Sequence, residues 1–265
     1  MIEINVDRIA FTIGPIVVGW YGIMVALAVI TVVTWGLVSI KKDSRLTADL
    51  VINAALVGIP SGVIFSRLMH VIDYWEEYIH NPGKIIGGDG LSIWGAVLGA
   101  AIGIWLYSRI SKKFSFGHFA DVISPGIILA QAIGRVGCTL NGCCYGKTTS
   151  VPWAIIYTNP STLGPIGMPV HPTQIYEIIY NVIVFGILLL LRKRVKPDGS
   201  LFLIYLILYS IWRLGIDFIR DGTSFLFGLH EAQVISIVVL AVCVPLLVIR
   251  MRQVKEEVTG ETFIE

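Results

Sequence analysis

Residues 15–40 read PIVVGWYGIMVALAVITVVTWGLVSI, a run without a single charged side chain. The hydrocarbon core of a bilayer is about 30 Å thick, and an α-helix needs roughly 20 mostly apolar residues to cross it. Six further runs meet this demand, at residues 50–71, 91–107, 119–135, 176–191, 201–219 and 232–249. The sequence therefore predicts an all-α polytopic membrane protein with about seven transmembrane helices.

The overall composition agrees with this fold class. Hydrophobic residues make up 55% of the chain and charged residues only 14%, whereas a soluble domain carries roughly a quarter charged residues. The mean hydropathy is +0.78. Nucleic-acid binding would need a concentrated basic face, and the basic residues here stand in short, separated clusters, so we expect no nucleic-acid partner.

Those basic clusters predict the orientation of the spans. They follow the first, third, fifth and seventh runs: Lys41, Lys42 and Arg45; Arg109, Lys112 and Lys113; Arg192, Lys193, Arg194 and Lys196; Arg250, Arg252 and Lys255. Loops rich in lysine and arginine stay in the cytoplasm. Seven spans put every cluster on one side, which predicts an N-terminus outside the cell and a cytoplasmic C-terminus.

The longest connection covers residues 138–170 and lies on the predicted outer side. It contains Pro152, Pro160, Pro165 and Pro169, together with a strand-like stretch WAIIY at residues 153–157. We interpret it as a small extracytoplasmic head within a single membrane domain over residues 1–265. The chemistry is predicted at this face.

Six ionisable residues lie in or at the outer ends of the spans: Arg67, Arg135, Glu177, Arg213, Asp217 and Arg220. Such residues are costly in a membrane and are functional candidates. The spacing i, i+4 and i+7 places Arg213, Asp217 and Arg220 on one helical face. Arginines outnumber carboxylates, and a guanidinium fork suits phosphate oxygens, so the set favours a phospholipid headgroup site. Structural ion pairs or arginines reaching toward headgroups are the alternative.

Two motifs flank these charges. Glycines around Arg135, including Gly146, together with Asn141, could bring backbone N–H groups to an anion. The segment HPTQIYE at residues 171–177 places His171, Gln174 and Glu177 at the start of a span, either as helix capping or as a pocket wall. Adjacent Cys143 and Cys144 lack C-x-x-C spacing and are interpreted as small residues in a tight turn. We expect no metal site.

Taken together, the motifs resemble a known family, the bacterial phosphatidylglycerol–prolipoprotein diacylglyceryl transferases. The matching pieces extend over nearly the whole chain: WYGIM at 20–24, SRL at 66–68, GDGLSIWGAVLGA at 88–100, GRVGCTLNGCCYG at 134–146, HPTQIYE at 171–177, the Arg213/Asp217/Arg220 triplet, and AQVIS at 232–236. A single matching motif would be weak evidence, but all of these motifs in the same order make the resemblance highly specific.

The resemblance implies a multi-pass enzyme of the bacterial cytoplasmic membrane, with its active site toward the outside. Such an enzyme moves the diacylglyceryl group of phosphatidylglycerol to the lipobox cysteine thiol of a preprolipoprotein signal peptide, and glycerol phosphate leaves. It implies no cofactor and no metal. Arg135 and Arg213 would hold the headgroup, while Tyr21, Gly146 and Asp217 would line the site.

This chain departs from the family pattern at three positions. Trp94 stands where the family often has histidine, Cys138 where it has asparagine, and Asp217 where it has glutamate. The loss of that histidine leaves Asp217, His171 or water to accept the thiol proton, and the sequence does not choose among them.

Two other classes of function compete with the transferase. A lipid transporter or flippase would also carry arginines in its spans, but such proteins commonly show paired repeats with broken helices, and none is visible here. A non-catalytic lipoprotein signal-peptide binder is the other alternative. The arginines argue against it, whereas Trp94 and Cys138 keep it open.

Overall fold

The structure is a computed structural model that describes residues 1–87, 90, 92–222 and 225–261, with only the backbone described at 42, 86, 87 and 254–261. Gly88, Asp89 and Leu91 of the motif GDGLSIWGAVLGA therefore lie outside the described residues. The helices are α1 (Trp20–Ser39), α2 (Ala48–Asp73), α3 (Trp75–His80), α4 (Lys84–Gly87), α5 (Ile93–Ser111), α6 (Phe116–Asn141), α7 (Thr173–Leu191), α8 (Ser200–Ile216) and α9 (Glu231–Glu261), and the strands are β1 (Ile2–Ile4), β2 (Ile9–Ile13), β3 (Ile16–Gly19), β4 (Ile155–Tyr157) and β5 (Pro169–Val170).

Six helices are long and apolar enough to cross a membrane, namely α1, α2, α5, α6, α7 and α9. The remaining predicted span corresponds to α8, which has 17 residues and ends at Ile216 instead of near Ile219. The predominantly helical, polytopic architecture is confirmed. The count of seven spans stays a prediction.

Burial in this chain runs opposite to that of a soluble protein. Large apolar side chains such as Leu56, Ile110 and Leu190 are well exposed, whereas Ser124 and Asn181 are fully buried. Lipid tails solvate an apolar surface, while polar groups gain by facing other protein groups. The pattern fits a bilayer as the solvent.

The chain divides into two compact units. The first unit combines Met1–Trp35 with Ala120–Glu265, and the second is Gly36–Phe119. Each unit is described by itself, and the single membrane domain over residues 1–265 stays a prediction.

In the first unit, five short strands correct the all-α prediction. The strand-like WAIIY stretch contains β4, which pairs parallel with β1 and antiparallel with β5. The strands β2 and β3 form a separate antiparallel pair. Ile155, Tyr157 and Val170 are buried together at the centre of the three-stranded sheet. The N-terminal residues therefore belong to the same substructure as the predicted 138–170 head, which the sequence did not indicate.

The helices of the first unit pack around an apolar core shared by α6, α7 and α8. Ile128, Val184, Leu188 and Leu201 are buried in this core. The carboxylate of Asp121 on α6 accepts hydrogen bonds from the backbone N–H groups of residues 199 and 202, at 2.6 and 2.8 Å. These amides belong to the first turn of α8, where intrahelical partners are lacking and negative charge is favourable. Asp121 thus fixes the start of α8 against α6.

The second unit is built on the contact between α2 and α5. Gly95, Gly99 and Gly103 recur every four residues along one face of α5 and are buried. A Cβ at Gly99 would lie 2.6 Å from the Ser61 carbonyl oxygen and still closer to Phe65. Small residues at this spacing let two membrane helices approach closely, so the glycine face brings α5 against α2.

We expect the Gly99→Ala variant to lower the thermal unfolding temperature in detergent, because the added methyl group forces α5 away from α2. The matched control is Gly186→Ala on α7, where a Cβ has no neighbour within 4 Å among the described residues. Alanine favours a helix over glycine by about 1 kcal/mol, so the control should unfold at the same temperature or higher. Equal unfolding temperatures for both variants would contradict the tight α2–α5 contact.

Candidate anion-binding site

One carboxylate joins the two arginines that the sequence singled out. Glu177 lies one turn into α7 and is buried. Its Oε1 lies 2.9 Å from Nε of Arg135 on α6, and its Oε2 lies 3.7 Å from Nη1 of Arg213 on α8. Three different helices therefore bring Arg135 and Arg213 to the two oxygens of one side chain.

Arg213 is the most deeply buried of these cations, with 5% of its surface exposed. Its Nη2 donates a hydrogen bond to Oδ2 of Asp217 at 3.1 Å, and it lies 3.0 Å from Oδ1 in the same ion pair. Within the described residues, its Nε and Nη1 have no hydrogen-bond partner. Buried donors without acceptors are costly, and these two N–H groups can therefore take up an additional acceptor.

Arg220 reaches the same cluster by a different route from the one the sequence predicted. The prediction placed it on one helical face with Arg213 and Asp217, but α8 ends at Ile216 and Asp217 is its C-cap. Arg220 instead forms an antiparallel bridge with Gly146, and its Nη1 lies 3.8 Å from Oδ1 of Asp217. The helix is therefore shorter than predicted, but a hydrogen-bonded turn follows it, in which the Arg220 N–H donates to the Ile216 carbonyl at 3.1 Å, and both arginines still lie beside Asp217.

The formal charges of this cluster do not cancel. Three arginines, Arg135, Arg213 and Arg220, face two carboxylates, Glu177 and Asp217. One positive charge remains in a mostly buried place, where Coulomb interactions are stronger than in water. The cluster is suited to an anion.

Gly146 holds the loop that carries this end of the site. Its N–H donates to the His171 carbonyl at 2.9 Å, and the next residue, Lys147, donates to the Ile219 carbonyl at 2.8 Å. A Cβ at Gly146 would lie 2.7 Å from both the His171 Cβ and the Ile219 carbonyl oxygen. Only glycine fits between these chains, so Gly146 sets where Arg220 stands. Other glycines near Arg135, including Gly134, lie inside α6, where their N–H groups serve the helix.

Tyr21 and Asn141 flank the arginine cluster. Tyr21 is in the first turn of α1 and lies close to Gly137, two residues after Arg135. A Cβ placed on Gly137 would lie 3.4 Å from the Tyr21 Cα. Asn141 is the last residue of α6, and its side-chain amide points to the Cys143 sulfur at 3.7 Å.

Gln174 supports the loop between α6 and β4. Its Nε2 donates to the Cys143 carbonyl at 2.7 Å and to the Tyr157 hydroxyl at 3.2 Å, and Tyr157 in turn donates to the Thr139 carbonyl. Burial raises the pKa of the Tyr157 phenol well above its ordinary value, so this hydroxyl stays a donor. The described contacts of Gln174 position the loop, and its predicted substrate contact stays a prediction.

His171 and Arg67 have other partners. The Nδ1 of His171 lies 3.3 Å from the Tyr176 hydroxyl, which also accepts a hydrogen bond from Trp153. Arg67 belongs to the second unit, where it donates to the carbonyls of residues 84, 85 and 90 and lies over the ring of Tyr78. These contacts favour a structural role for Arg67, and its part in substrate binding stays a prediction.

The sequence reasoning missed one member of the site. The hydroxyl of Tyr209 lies 3.4 Å from Oε1 of Glu177 and donates to it. Tyr209 precedes Arg213 by four residues on α8. Residues four apart lie on the same helical face, so the spacing that predicts a contact between Arg213 and Asp217 also predicts one between Arg213 and Tyr209. A tyrosine in an apolar span drew no attention because it resembles ordinary core.

Fold and charges together describe a polytopic membrane protein with a mostly buried, net-positive cluster of side chains that suits an anionic group. The chain matches the family model described as prolipoprotein diacylglyceryl transferase over residues 8–249, and it belongs to that family. The resemblance drawn from its motifs is thereby confirmed.

Individual relatives carry the same description over almost their full lengths. A Dehalococcoides mccartyi protein is 51% identical over 256 residues, covering 97% of this chain and 98% of the relative. A Clostridioides difficile protein is 38% identical over 236 residues, covering 88% and 90%, and a Lysinibacillus sphaericus protein is 35% identical over 266 residues, covering 96% of each. All three are named phosphatidylglycerol–prolipoprotein diacylglyceryl transferase.

Proposed function

We propose that this protein transfers the diacylglyceryl group of phosphatidylglycerol to the lipobox cysteine thiol of preprolipoproteins, as the names of its relatives state for them. The observation that carries the proposal is the buried guanidinium of Arg213, whose Nε and Nη1 have no hydrogen-bond partner within the described residues. It lies beside Arg135 at a shared carboxylate. A phosphate diester supplies the acceptor oxygens that these donors lack.

In the proposed reaction the thiol sulfur attacks the glyceryl carbon, the carbon–oxygen bond to phosphate breaks, and glycerol phosphate leaves. Negative charge collects on the departing phosphate, so fixed positive donors at Arg135 and Arg213 lower the barrier. Both oxygens of Asp217 engage Arg213, which gives Asp217 the role of orienting that guanidinium. We place Tyr21 at the edge of the reacting centre. The group that accepts the thiol proton stays unassigned.

The other predicted contacts complete the proposed substrate site. Glu177 holds both arginines in place before the lipid arrives, and Arg220 with Gly146 closes the side of the site beside the start of α7. Asn141, His171 and Gln174 line the loops nearest the head, where the signal peptide of the preprolipoprotein would approach. Arg67 lies in the second unit, and we propose it separately as a lipid contact, on the sequence alone.

We further propose seven spans in the bacterial cytoplasmic membrane, with the N-terminus and the head outside and the C-terminus inside. Within the first unit, Arg250 at the basic end of α9 donates to the Asp198 carbonyl, just past the basic cluster that follows α7. Within the second unit, Asp43 and His118 pair at 2.7 Å beside the two basic clusters there. Each unit thus gathers its basic ends on one side, in line with the positive-inside rule.

The direct test uses purified full-length protein, phosphatidylglycerol and a synthetic lipobox peptide. Mass spectrometry should detect a peptide heavier by one diacylglyceryl group, and glycerol phosphate should appear in equal amount. The matched controls are the same peptide with serine at the lipobox position and the zwitterionic lipid phosphatidylethanolamine, and neither should give product. Intact peptide after incubation with the anionic lipid would contradict the proposal.

The Gly146→Ala variant should slow this transfer on the order of 100-fold, the scale expected when a catalytic group is displaced by about 1 Å. The added methyl group separates residue 146 from His171 and Ile219 and moves Arg220 with it. Initial transfer rates of folded, monodisperse protein measure the effect. The control is Gly134→Ala inside α6, where a Cβ meets nothing within 4 Å among the described residues and should leave the rate unchanged. Equal rates in both variants would refute the role given to Gly146.

A further inference from the structure

Three cysteines converge at the end of α6. Cys138 lies in the last turn of the helix and is buried, while Cys143 and Cys144 lie in the following loop and are half-buried. Their three sulfur atoms lie within 4.8 Å of one another. All three are free thiols.

The loop that carries these cysteines is held rigidly by α7 and by its own backbone. The Cys143 N–H donates to the Cys138 carbonyl at 3.1 Å. Gln174 and Thr173 at the start of α7 donate to the carbonyls of Cys143 and Cys144, at 2.7 and 2.6 Å. The fold therefore holds the three sulfur atoms close together, and they need little rearrangement to bind one common ligand.

Three thiols at this separation match the coordination chemistry of a thiophilic cation. Zinc–sulfur bonds are about 2.3 Å long, which places two sulfurs of one tetrahedral site about 3.8 Å apart. Closing from 4.8 Å or less to that separation needs only small side-chain rotations. Soft thiolate ligands select zinc and related ions over magnesium or calcium.

The side chains around the three sulfur atoms also fit a thiophilic cation. Nη1 of Arg135 points at the Cys138 sulfur, and Nδ2 of Asn141 points at the Cys143 sulfur, both at 3.7 Å. Donors directed at the coordinating atoms are typical of the outer shell of a metal site. A divalent ion with three thiolates carries one net negative charge, and the guanidinium of Arg135 lies beside it.

We propose that Cys138, Cys143 and Cys144 form a binding site for a thiophilic divalent cation such as Zn²⁺. Binding joins the metal to three sulfurs and releases their three protons to solvent, and a fourth tetrahedral position stays open to another donor. The sequence predicted no metal site, because C-x₄-C-C is not a paired zinc spacing. The fold creates the set by turning residues 143 and 144 back onto the end of α6.

The test titrates full-length protein in detergent with Cd²⁺, after treatment with a chelator and a thiol-free reductant. An ultraviolet sulfur-to-cadmium charge-transfer band should saturate at one ion per chain. The Cys138→Ser, Cys143→Ser and Cys144→Ser variants should each weaken binding more than about 100-fold, beyond the loss from altering an outer-shell group. The matched control is Cys243→Ser in α9, which should bind as the unmodified protein does. Binding that survives the triple serine replacement, or no binding by the unmodified protein, would overturn the proposal.

A second measurement needs no variant. Alkylation of the native protein, read by mass spectrometry, should modify Cys143 and Cys144 in the absence of metal and spare them once Cd²⁺ or Zn²⁺ is added. Mg²⁺ at the same concentration should give no protection. Equal alkylation of these two residues with and without Cd²⁺ would count against the site even if the variants proved unstable.

Discussion

Replacing Arg135 or Arg213 by alanine should slow diacylglyceryl transfer on the order of 100- to 1000-fold, the loss found when one donor is removed from a site that stabilises developing negative charge. Each variant removes a cation that the proposed reaction needs at the departing phosphate. Arg213 should show the larger loss, since its guanidinium is more deeply buried and screened less by water. Initial rates at saturating phosphatidylglycerol separate this effect from weaker lipid binding.

The matched control for both variants is Arg250→Ala at the end of α9. Arg250 donates to the Asp198 carbonyl and is exposed. Its replacement is the same arginine-to-alanine change, but it is made near the start of α8, whereas Arg213 lies in the last turn of α8. Its transfer rate should equal that of the unmodified protein. Arg135→Ala and Arg213→Ala proteins that stay folded and retain the unmodified rate would remove the arginines from the mechanism.

The membrane-spanning helices could be predicted because one continuous stretch of sequence is enough to meet the requirements for crossing a bilayer. A run of about 20 apolar residues satisfies its own backbone hydrogen bonds and needs no knowledge of distant partners. The same reasoning holds within one helix for Arg213 and Asp217, which are four residues apart and form the expected ion pair at 3.0 Å. The predicted ends were less accurate, and α6 continues to Asn141 beyond the predicted end near Arg135.

Features that depend on distant pairing could not be predicted in the same way. The strand β1 pairs with β4 across some 150 residues, with Ile2 opposite Ile155, and no periodicity records such a partner. The bridge between Arg220 and Gly146 is a second pairing of this kind, because the two residues lie far apart in the sequence. The shared use of Glu177 by arginines from two other helices likewise follows from how α6, α7 and α8 pack.

The Glu177 carboxylate has two opposing electrostatic effects in this buried cluster. Before lipid binds, two guanidinium groups brought together in a low-dielectric place repel one another, and a carboxylate between them relieves that repulsion. In the proposed reaction, the same carboxylate competes with the lipid phosphate for these donors. The carboxylate lies 2.9 Å from Nε of Arg135 but 3.7 Å from Nη1 of Arg213, so it competes less strongly for the donors of Arg213.

The Glu177→Gln variant should therefore destabilise the folded protein by about 3–5 kcal/mol, the cost of removing one partner from a buried ion pair. The formal charge of the cluster rises from one to two positive charges, while the shape of the side chain is kept. Unfolding in mixed micelles with increasing denaturing detergent measures the change in the free energy of unfolding. The control, Glu231→Gln at the exposed first residue of α9, should change it by less than about 1 kcal/mol.

A double-mutant cycle with Arg135→Gln separates the ion pair from simple packing. If Glu177 acts by compensating charge, the double variant restores the original net charge and loses less stability than the sum of the two single variants. Contacting residues typically show coupling of about 0.5–3 kcal/mol, whereas independent ones add within about 0.5 kcal/mol. Additive losses would mean that Glu177 stabilises the fold through its shape alone, and the shared carboxylate would then have no electrostatic role between the arginines.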